Sequence, residues 1–428
     1  MFQVIIVILL RSKKVKLSLS IFILSCLFLV SSTVSCSCGT ASPTGEKKSD
    51  AAKPDAKAQT AKSVAKPGQP AEKEKKKPDY DWGVIYYMPY DNNLEQFGEL
   101  IIDRIRQGVV SEKLVAAVQA DFSDKGGMYR YTITSKDMKK TRLKSDDSAD
   151  ENRIMEYMNW FAKKFHCKNY IVVFLNHGGK LDETSLDLRH SPKGKRWASG
   201  RVLGGMFRKF KKDLPGNWPL LFLQQCGRGS LENLYSFRGT AEYIMSSPVP
   251  VGAPNTYYTD VIKWLSGKPD ATGDAIAKKI AEEDDHYSLY TCLKTEKLDE
   301  LPKRLDKILN RFLEKNELTR VRVPIIFRPE PWETITDAKA LFQEMAKKNG
   351  TGKSEVDDFL KWLSDEFFTM VRFHGRARRF SSRLCGVSIY HPLSSKDIKR
   401  YSNLYLYKDG KLPELWRKLV SSPPGKKK

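Results

Sequence analysis

Cys226 ends an apolar run, PLLFLQ at 219–224, and Gly227 and Gly229 follow it in QQCGRGS. A thiol that only fills a core has apolar neighbours on both sides. This one sits where a buried strand should stop and a turn into a helix should begin. A helix N-terminus beside a cysteine lowers its pKa, so more of it is thiolate, the form that attacks a carbonyl. The two glycines would leave the backbone free of Cβ bulk, so that a peptide could approach. His177 closes a second apolar run, YIVVFL at 170–175, and Gly178 and Gly179 come directly after it. Thiol, imidazole and an unobstructed glycine N–H facing a developing oxyanion are the parts a cysteine hydrolase needs.

The spacing supports the same chemistry. His177 precedes Cys226 by 49 residues, close to the separation of about 50 in the caspase-type arrangement, whose nucleophile lies in Q-A-C-[RQG]-G. Gln224-Gln225-Cys226-Gly227 stands in the corresponding place. Glycine pairs end many strands and cysteines often fill cores, so neither motif alone carries the assignment. His166, His190, His286, His374 and His391 fall on helix ends, loops or a late strand and read as structural or exposed. Asp91 reads as the cap of a helix starting at Asn92 or Asn93. KGKRW at 193–197 reads as a solvated basic loop.

These residues need a scaffold that brings strand ends together. GVIYYM (83–88), KLVAAVQAD (113–121), YIVVFL (170–175) and PLLFLQ (219–224) are near-continuous apolar strands. GGMYRYTIT (126–134) is a further extended piece. Leu94, Phe97, Ile101 and Ile105 recur at helical spacing, as do Ile154, Met158, Phe161 and Phe165, the second helix capped by Asp147 or Ser148. Helices are also expected at 201–211 and from Leu231, with a basic, loop-like insert at 180–200. Such alternation predicts an α/β fold with a mostly parallel central sheet covered by helices on both faces. Ligands bind such sheets at the carboxyl ends of the strands. A largely helical C-terminal extension follows, with a late strand in LCGVSIYHP (384–392).

The N-terminus addresses the chain. RSKKVK at 11–16 precedes the 14-residue apolar run LSLSIFILSCLFLV and the small residues SSTVSCSC, the layout of an export signal. Its end resembles a bacterial lipobox, with Cys36 as the acylated residue, although Thr33 stands where Leu is usual. Cleavage without acylation and an uncleaved anchor over residues 17–35 are the other readings. Residues 40–78 are chiefly Ala, Lys, Pro and Glu and read as a disordered tether. The expected divisions are a signal at 1–38, a linker at 39–78, a catalytic domain at 79–310 and a C-terminal subdomain at 311–428. The net charge of +23 is about half contained in the signal, the linker and the lysine tail. With no zinc-finger, RNP-like or basic-repeat pattern, nucleic-acid binding is not expected. Cys167, Cys292 and Cys385 allow one disulfide in an oxidising compartment.

WGVIYYMPYDNNLE (82–95), NYIVVFLNHGG (169–179), LFLQQCGRGSLENLY (221–235) and CGVSIYHP (385–392) together resemble the clostripain family of cysteine peptidases. The resemblance implies a caspase-like fold and an endopeptidase with His177 and Cys226 as its dyad. It implies the N–H groups of Gly178 and Cys226 as oxyanion donors, and protein or peptide substrates. It also carries calcium dependence, although no loop here is EF-hand-like and the chemistry needs no metal or organic cofactor. The family usually has an acid two residues before the nucleophile, which selects Arg or Lys at the cleavage site. This chain has Gln224, and SSPVPVGAPNTYY (246–258) supplies no acid in exchange, leaving Asp260 or Glu242 as replacements only if the fold turns one inward. Gln224 as a pocket residue therefore predicts weak selectivity for Arg and Lys. The expected function is an envelope-tethered cysteine endopeptidase. The alternative is an inactive relative whose cleft binds peptides or envelope components.

Overall fold

The computed structural model describes residues 78–122, 127–145, 147–189 and 194–422. The export signal, Cys36, the linker and His190 lie outside them. Among the described residues no helix is long and apolar enough to cross a membrane.

The strands, in chain order, are β1 (Tyr80–Pro89), β2 (Leu114–Phe122), β3 (Gly127–Ile133), β4 (Met138–Arg142), β5 (Cys167–Leu175), β6 (Glu183–Asp187) and β7 (Arg196–Ser199). They continue with β8 (Asn217–Gln224), β9 (Tyr243–Ser246), β10 (Leu289–Lys294), β11 (Ile325–Phe327), β12 (Ile335–Asp337), β13 (Phe368–Phe373) and β14 (Ser388–Tyr390). Nine of them form one sheet in the order β13-β10-β9-β8-β5-β1-β2-β3-β4. Its centre, β9-β8-β5-β1-β2, is parallel, and antiparallel strands extend both flanks.

The central strands read as apolar runs because both of their faces are covered. Side chains alternate along a strand, so Ile85 and Tyr87 enter one core and Val84, Tyr86 and Met88 the other. Helices α1 (Glu95–Gly108), α2 (Glu151–Lys164), α3 (Gly200–Asp213), α4 (Leu231–Ser236), α5 (Tyr258–Ser266) and α6 (Gly273–Glu283) divide between the two faces. Phe161 of α2, Phe207 of α3 and Leu234 of α4 pack on the Ile85 side. Ile101 of α1, Ile262 of α5 and Ile280 of α6 pack on the other.

Several local expectations give way to tertiary contacts. Asp91 does not cap α1, whose N-cap is Leu94 without a side-chain bond; its carboxylate accepts instead from the N–H groups of Leu188 and Arg189. Helix α2 starts at Glu151, so its cap is Asp150, which accepts from Asn152 N–H, while Asp147 pairs with Arg196. Within the insert after His177, β6 and β7 pair antiparallel where a loop was expected. β13 joins the central sheet, and Leu309, Leu341, Trp362 and Trp416 share a core with β1 and β8. Cys167, Cys226, Cys292 and Cys385 are free thiols; Cys167 and Cys292 lie in cores on opposite faces of the sheet.

Candidate active site

His177 follows β5 and Cys226 follows β8, two adjacent parallel strands, so both residues emerge at the carboxyl edge of the sheet. Gly178 joins them. A Cβ at this position would stand 1.9 Å from the Cys226 carbonyl oxygen, so only glycine lets the two turns approach this closely. The N–H groups of Gly178 and of Cys226 itself both bear on the sulfur and favour its charged form. Gly227 and Gly229 serve a different purpose from the one their small size suggested. A Cβ on Gly227, at φ +69°, would meet the Phe327 ring at 2.2 Å, and one on Gly229 would meet Pro248 at 2.6 Å. Their bareness admits other parts of this chain against the turn.

The thiol is not the free thiolate that a helix N-terminus would give. Helix α4 begins only at Leu231, behind the Ser230 cap. Burial raises the Cys226 pKa above its ordinary value, against the opposing pull of the Val251 N–H, the Arg228 charge and the Gly178 N–H. Val251 covers the sulfur with its backbone: its N–H lies 3.4 Å from Sγ, and its carbonyl accepts from the thiol at 3.7 Å. The preceding residues run along the turn, with Gly227 N–H on the Val249 carbonyl and Gly229 N–H on the Ser247 carbonyl.

His177 is half-buried, and burial followed by the Lys195 charge lowers its pKa below 6.5. Its Nε2 lies 2.7 Å from Asn93 Oδ1. Among the described residues no hydrogen bond joins His177 to Cys226. The loop before α1 is tied to the His177 turn by Asn176, which donates to the carbonyls of Pro89 and Leu186 and accepts from Asn92 and from His177 N–H.

Arg228, fully buried, was not singled out by the sequence. Its guanidinium donates to the carbonyls of Gly179 (2.8 Å), Lys180 (3.0 Å) and Glu183 (2.5 Å), and to that of Cys226 at 3.3 Å. It therefore fastens the loop after His177 to the cysteine turn. Glu333 holds the same loop from the C-terminal part of the chain, accepting from Leu181 N–H at 2.6 Å and from the Tyr401 hydroxyl at 2.8 Å. Burial pushes the Glu333 carboxyl up to about 7.

Gln224 is 5% exposed. Its Nε2 donates to Asn255 Oδ1 and to the Tyr258 hydroxyl, and its Oε1 accepts from the Tyr257 hydroxyl. Both amide donors are thus engaged by the segment that begins α5. Asp260 and Glu242, the two acids that could have replaced the missing charge, are exposed. The acid nearest this network is Asp284, buried and bonded to Asn255 and Tyr290.

Three more carboxylates converge close by. Oxygens of Asp91, Asp121 and Asp187 lie within 4.8 Å of one another, all buried. Burial, and then the neighbouring Asp187 against the backbone donors, raise Asp91 to about 7. Asp187 Oδ2 accepts from Ser148 N–H, whereas Oδ1 has no hydrogen-bond partner. Hard oxygen donors with one unspent atom fit a cation such as calcium. Asp91 follows β1 and Asp121 lies at the carboxyl end of β2, both beside apolar runs, which is the one trace of this cluster in the sequence.

The sequence profile described as the clostripain family matches residues 86–411. No curated protein matches the chain. Among solved structures, an inactive zymogen C11 protease from Parabacteroides distasonis is 17% identical with a TM-score of 0.59, over 77% of this chain and 98% of that one. A secreted C11 cysteine protease from Bacteroides thetaiotaomicron, solved with an irreversible peptide inhibitor, is also 17% identical, with a TM-score of 0.57 over 77% and 99% of the two chains. At these identities the structures speak for the fold.

Proposed function

We propose, for a chain that belongs to the clostripain family and is a cysteine peptidase, that Cys226 is its nucleophile and His177 its base. The observation that carries this reading is the meeting of the two turns at Gly178, where a Cβ would clash with the Cys226 carbonyl and where the Gly178 and Cys226 N–H groups favour the charged sulfur. Those two donors are where the oxyanion would form once the sulfur bonds to a substrate carbonyl. The thiol proton passes to His177 as the sulfur attacks, and His177 returns it to the leaving amine. Water then releases the acyl group. Val251 must leave the sulfur before a carbonyl can reach it, so the arrangement is that of a covered nucleophile. The partners are protein or peptide substrates.

Asp91, Asp121 and Asp187 would hold calcium, if the family's dependence extends to this chain. Its contribution there would be to fix the loops at 89–93 and 187–189, which flank His177, and no bond-making step passes through it.

The basic and apolar leader places the peptidase outside the cytoplasm, held at the envelope through lipid on Cys36. Metabolic labelling with a palmitate analogue should mark the wild type and miss Cys36→Ala; equal labelling would remove the tether. For the chemistry, a thiol-directed acyloxymethyl ketone should label the intact protein. Cys226→Ala should abolish that labelling with the fold retained, and unchanged labelling would move the nucleophile elsewhere.

A further inference from the structure

A groove of about 700 Å³ opens beside the cysteine turn, with Val249, Leu289, Ile325, Ile326, Phe373 and Phe380 among its apolar lining. Two of its walls are shared with the turn. Val249 receives the Gly227 N–H at 3.2 Å, and Phe327, next to Ile326 on β11, closes its ring on Gly227. β11 is the edge of a three-stranded sheet, β11-β12-β14. An edge strand leaves one row of N–H and C=O groups unpaired by its sheet, the backbone pattern onto which an extended peptide adds. Ile325 is 38% exposed on that strand.

The segment that gives Phe373, Ala377, Phe380 and Arg383 to the lining is strongly positive. Residues 371–383, VRFHGRARRFSSR, contain five arginines and no acid. Arg376, Arg378, Arg379 and Arg383 are exposed, and among the described residues none of them has an acidic partner. Arg372 alone faces a carboxylate, that of Glu282 at 3.8 Å. Lys339 adds an ammonium, donating to the Ser382 carbonyl at 3.0 Å. The one acid in the lining, Asp337, is buried and spent on the N–H groups of Ala340 and Cys385. Concentrated positive charge around an apolar floor selects a ligand with the opposite pattern.

We propose that this groove is a second recognition site for the substrate, taking an extended segment in which an apolar side chain is flanked by acidic ones. It rests on the peptidase reading only in that the segment belongs to the chain being cut. The apolar residue would fill the floor, its acidic neighbours would face Arg376, Arg379 and Arg383, and the backbone would run along β11.

Peptides with one cleavable core test this, each extended at its N- or C-terminal end by an acid–Phe–acid or a Lys–Phe–Lys segment. In at least one attachment, the acidic extension should raise kcat/KM about tenfold over the lysine version, through KM, and salt should erode the gain. The triple variant Arg376→Glu, Arg379→Glu, Arg383→Glu should abolish the gain and leave turnover of the unextended core unchanged. Equal kcat/KM for the two extensions, or a gain that survives the triple variant, overturns the proposal. Fluorescence anisotropy of the labelled acid–Phe–acid peptide on intact protein gives a reading that needs no catalysis. Binding lost in the triple variant supports the groove even if no peptide is cut, in which case the peptidase reading alone fails. Absence of binding, or equal binding of an acidic peptide without Phe, overturns the groove alone.

Discussion

Asn93 Oδ1 lies 2.7 Å from His177 Nε2, joining residues 84 positions apart. With an amide oxygen as acceptor, Nε2 carries the ring proton and Nδ1 is left as the basic nitrogen. With His177 as the proposed base, Asn93 would be a positioning residue, fixing tautomer and ring direction in the way a third group orients the base of a catalytic triad. Asn93→Ala should lower kcat by about tenfold to a hundredfold with KM little changed. Asn93→Asp should shift the acid limb of the pH profile upward, since a carboxylate there favours the imidazolium. A uniform loss of activity with an unmoved profile in Asn93→Asp would reduce Asn93 to a structural contact.

The protonation states of the pair give a second prediction. Burial holds the Cys226 thiol above its ordinary value of 9.0 and the His177 imidazole below 6.5. Near neutral pH both are therefore uncharged, and the proton moves during attack and not before it. Alkylation of Cys226 by iodoacetamide should keep rising with pH beyond 9.0, while the acid limb of kcat/KM should lie below that of an ordinary imidazole. Lys195→Gln removes a charge that lowers the imidazole, so its acid limb should move up in pH. Alkylation already complete at neutral pH would mean a resting thiolate–imidazolium pair and would refute this scheme.

How much of this was legible depended on how each residue earns its place. β1, β2, β5 and β8 are buried on both faces, so they declare themselves as apolar runs, and the two turns that end β5 and β8 could be read directly. β4, MKKTR, is exposed at all five positions and has no apolar signal. β9 spans four residues, and β13 follows directly on a helical stretch, so neither stands out. Asn93 and Arg228 act through partners far away in sequence, which a linear pattern does not record. The carboxylates of Asp91, Asp121 and Asp187 meet only because β1 and β2 are neighbours and β6 ends beside them.

Arg228 supports a third prediction. Its guanidinium reaches carbonyls on both sides of the cleft, at Cys226 and at 179–183. A lysine in its place is a single point donor and cannot span them. Arg228→Lys should cost about 2–4 kcal/mol of stability, because buried carbonyls lose their donors. With the loop after His177 loosened, kcat should fall more than KM rises. Measured by denaturant unfolding and steady-state kinetics, native stability together with native kcat would rule out the clamp.

The fourth prediction concerns the residue that the cleaved bond must satisfy. In this family an acid two positions before the nucleophile meets an Arg or Lys side chain, and Gln224 holds that position here. Its amide offers no free donor, since Nε2 is divided between Asn255 and Tyr258. A guanidinium placed against it would be desolvated without a counter-charge, which costs several kcal/mol in a dry site. Asp284 could supply that charge only by giving up Asn255 and Tyr290. Wild-type cleavage should therefore show weak selectivity for Arg and Lys in a positional-scanning library. Gln224→Asp should shift preference toward them, because the hydroxyls of Tyr257 and Tyr258 can both donate to a carboxylate in that place. The same donors hold the new carboxylate ionised, so the shift should persist at neutral pH. Exclusive cleavage after Arg by the wild type would show that Asp284, or another acid, already reaches the pocket, and Gln224 would then have no part in selection.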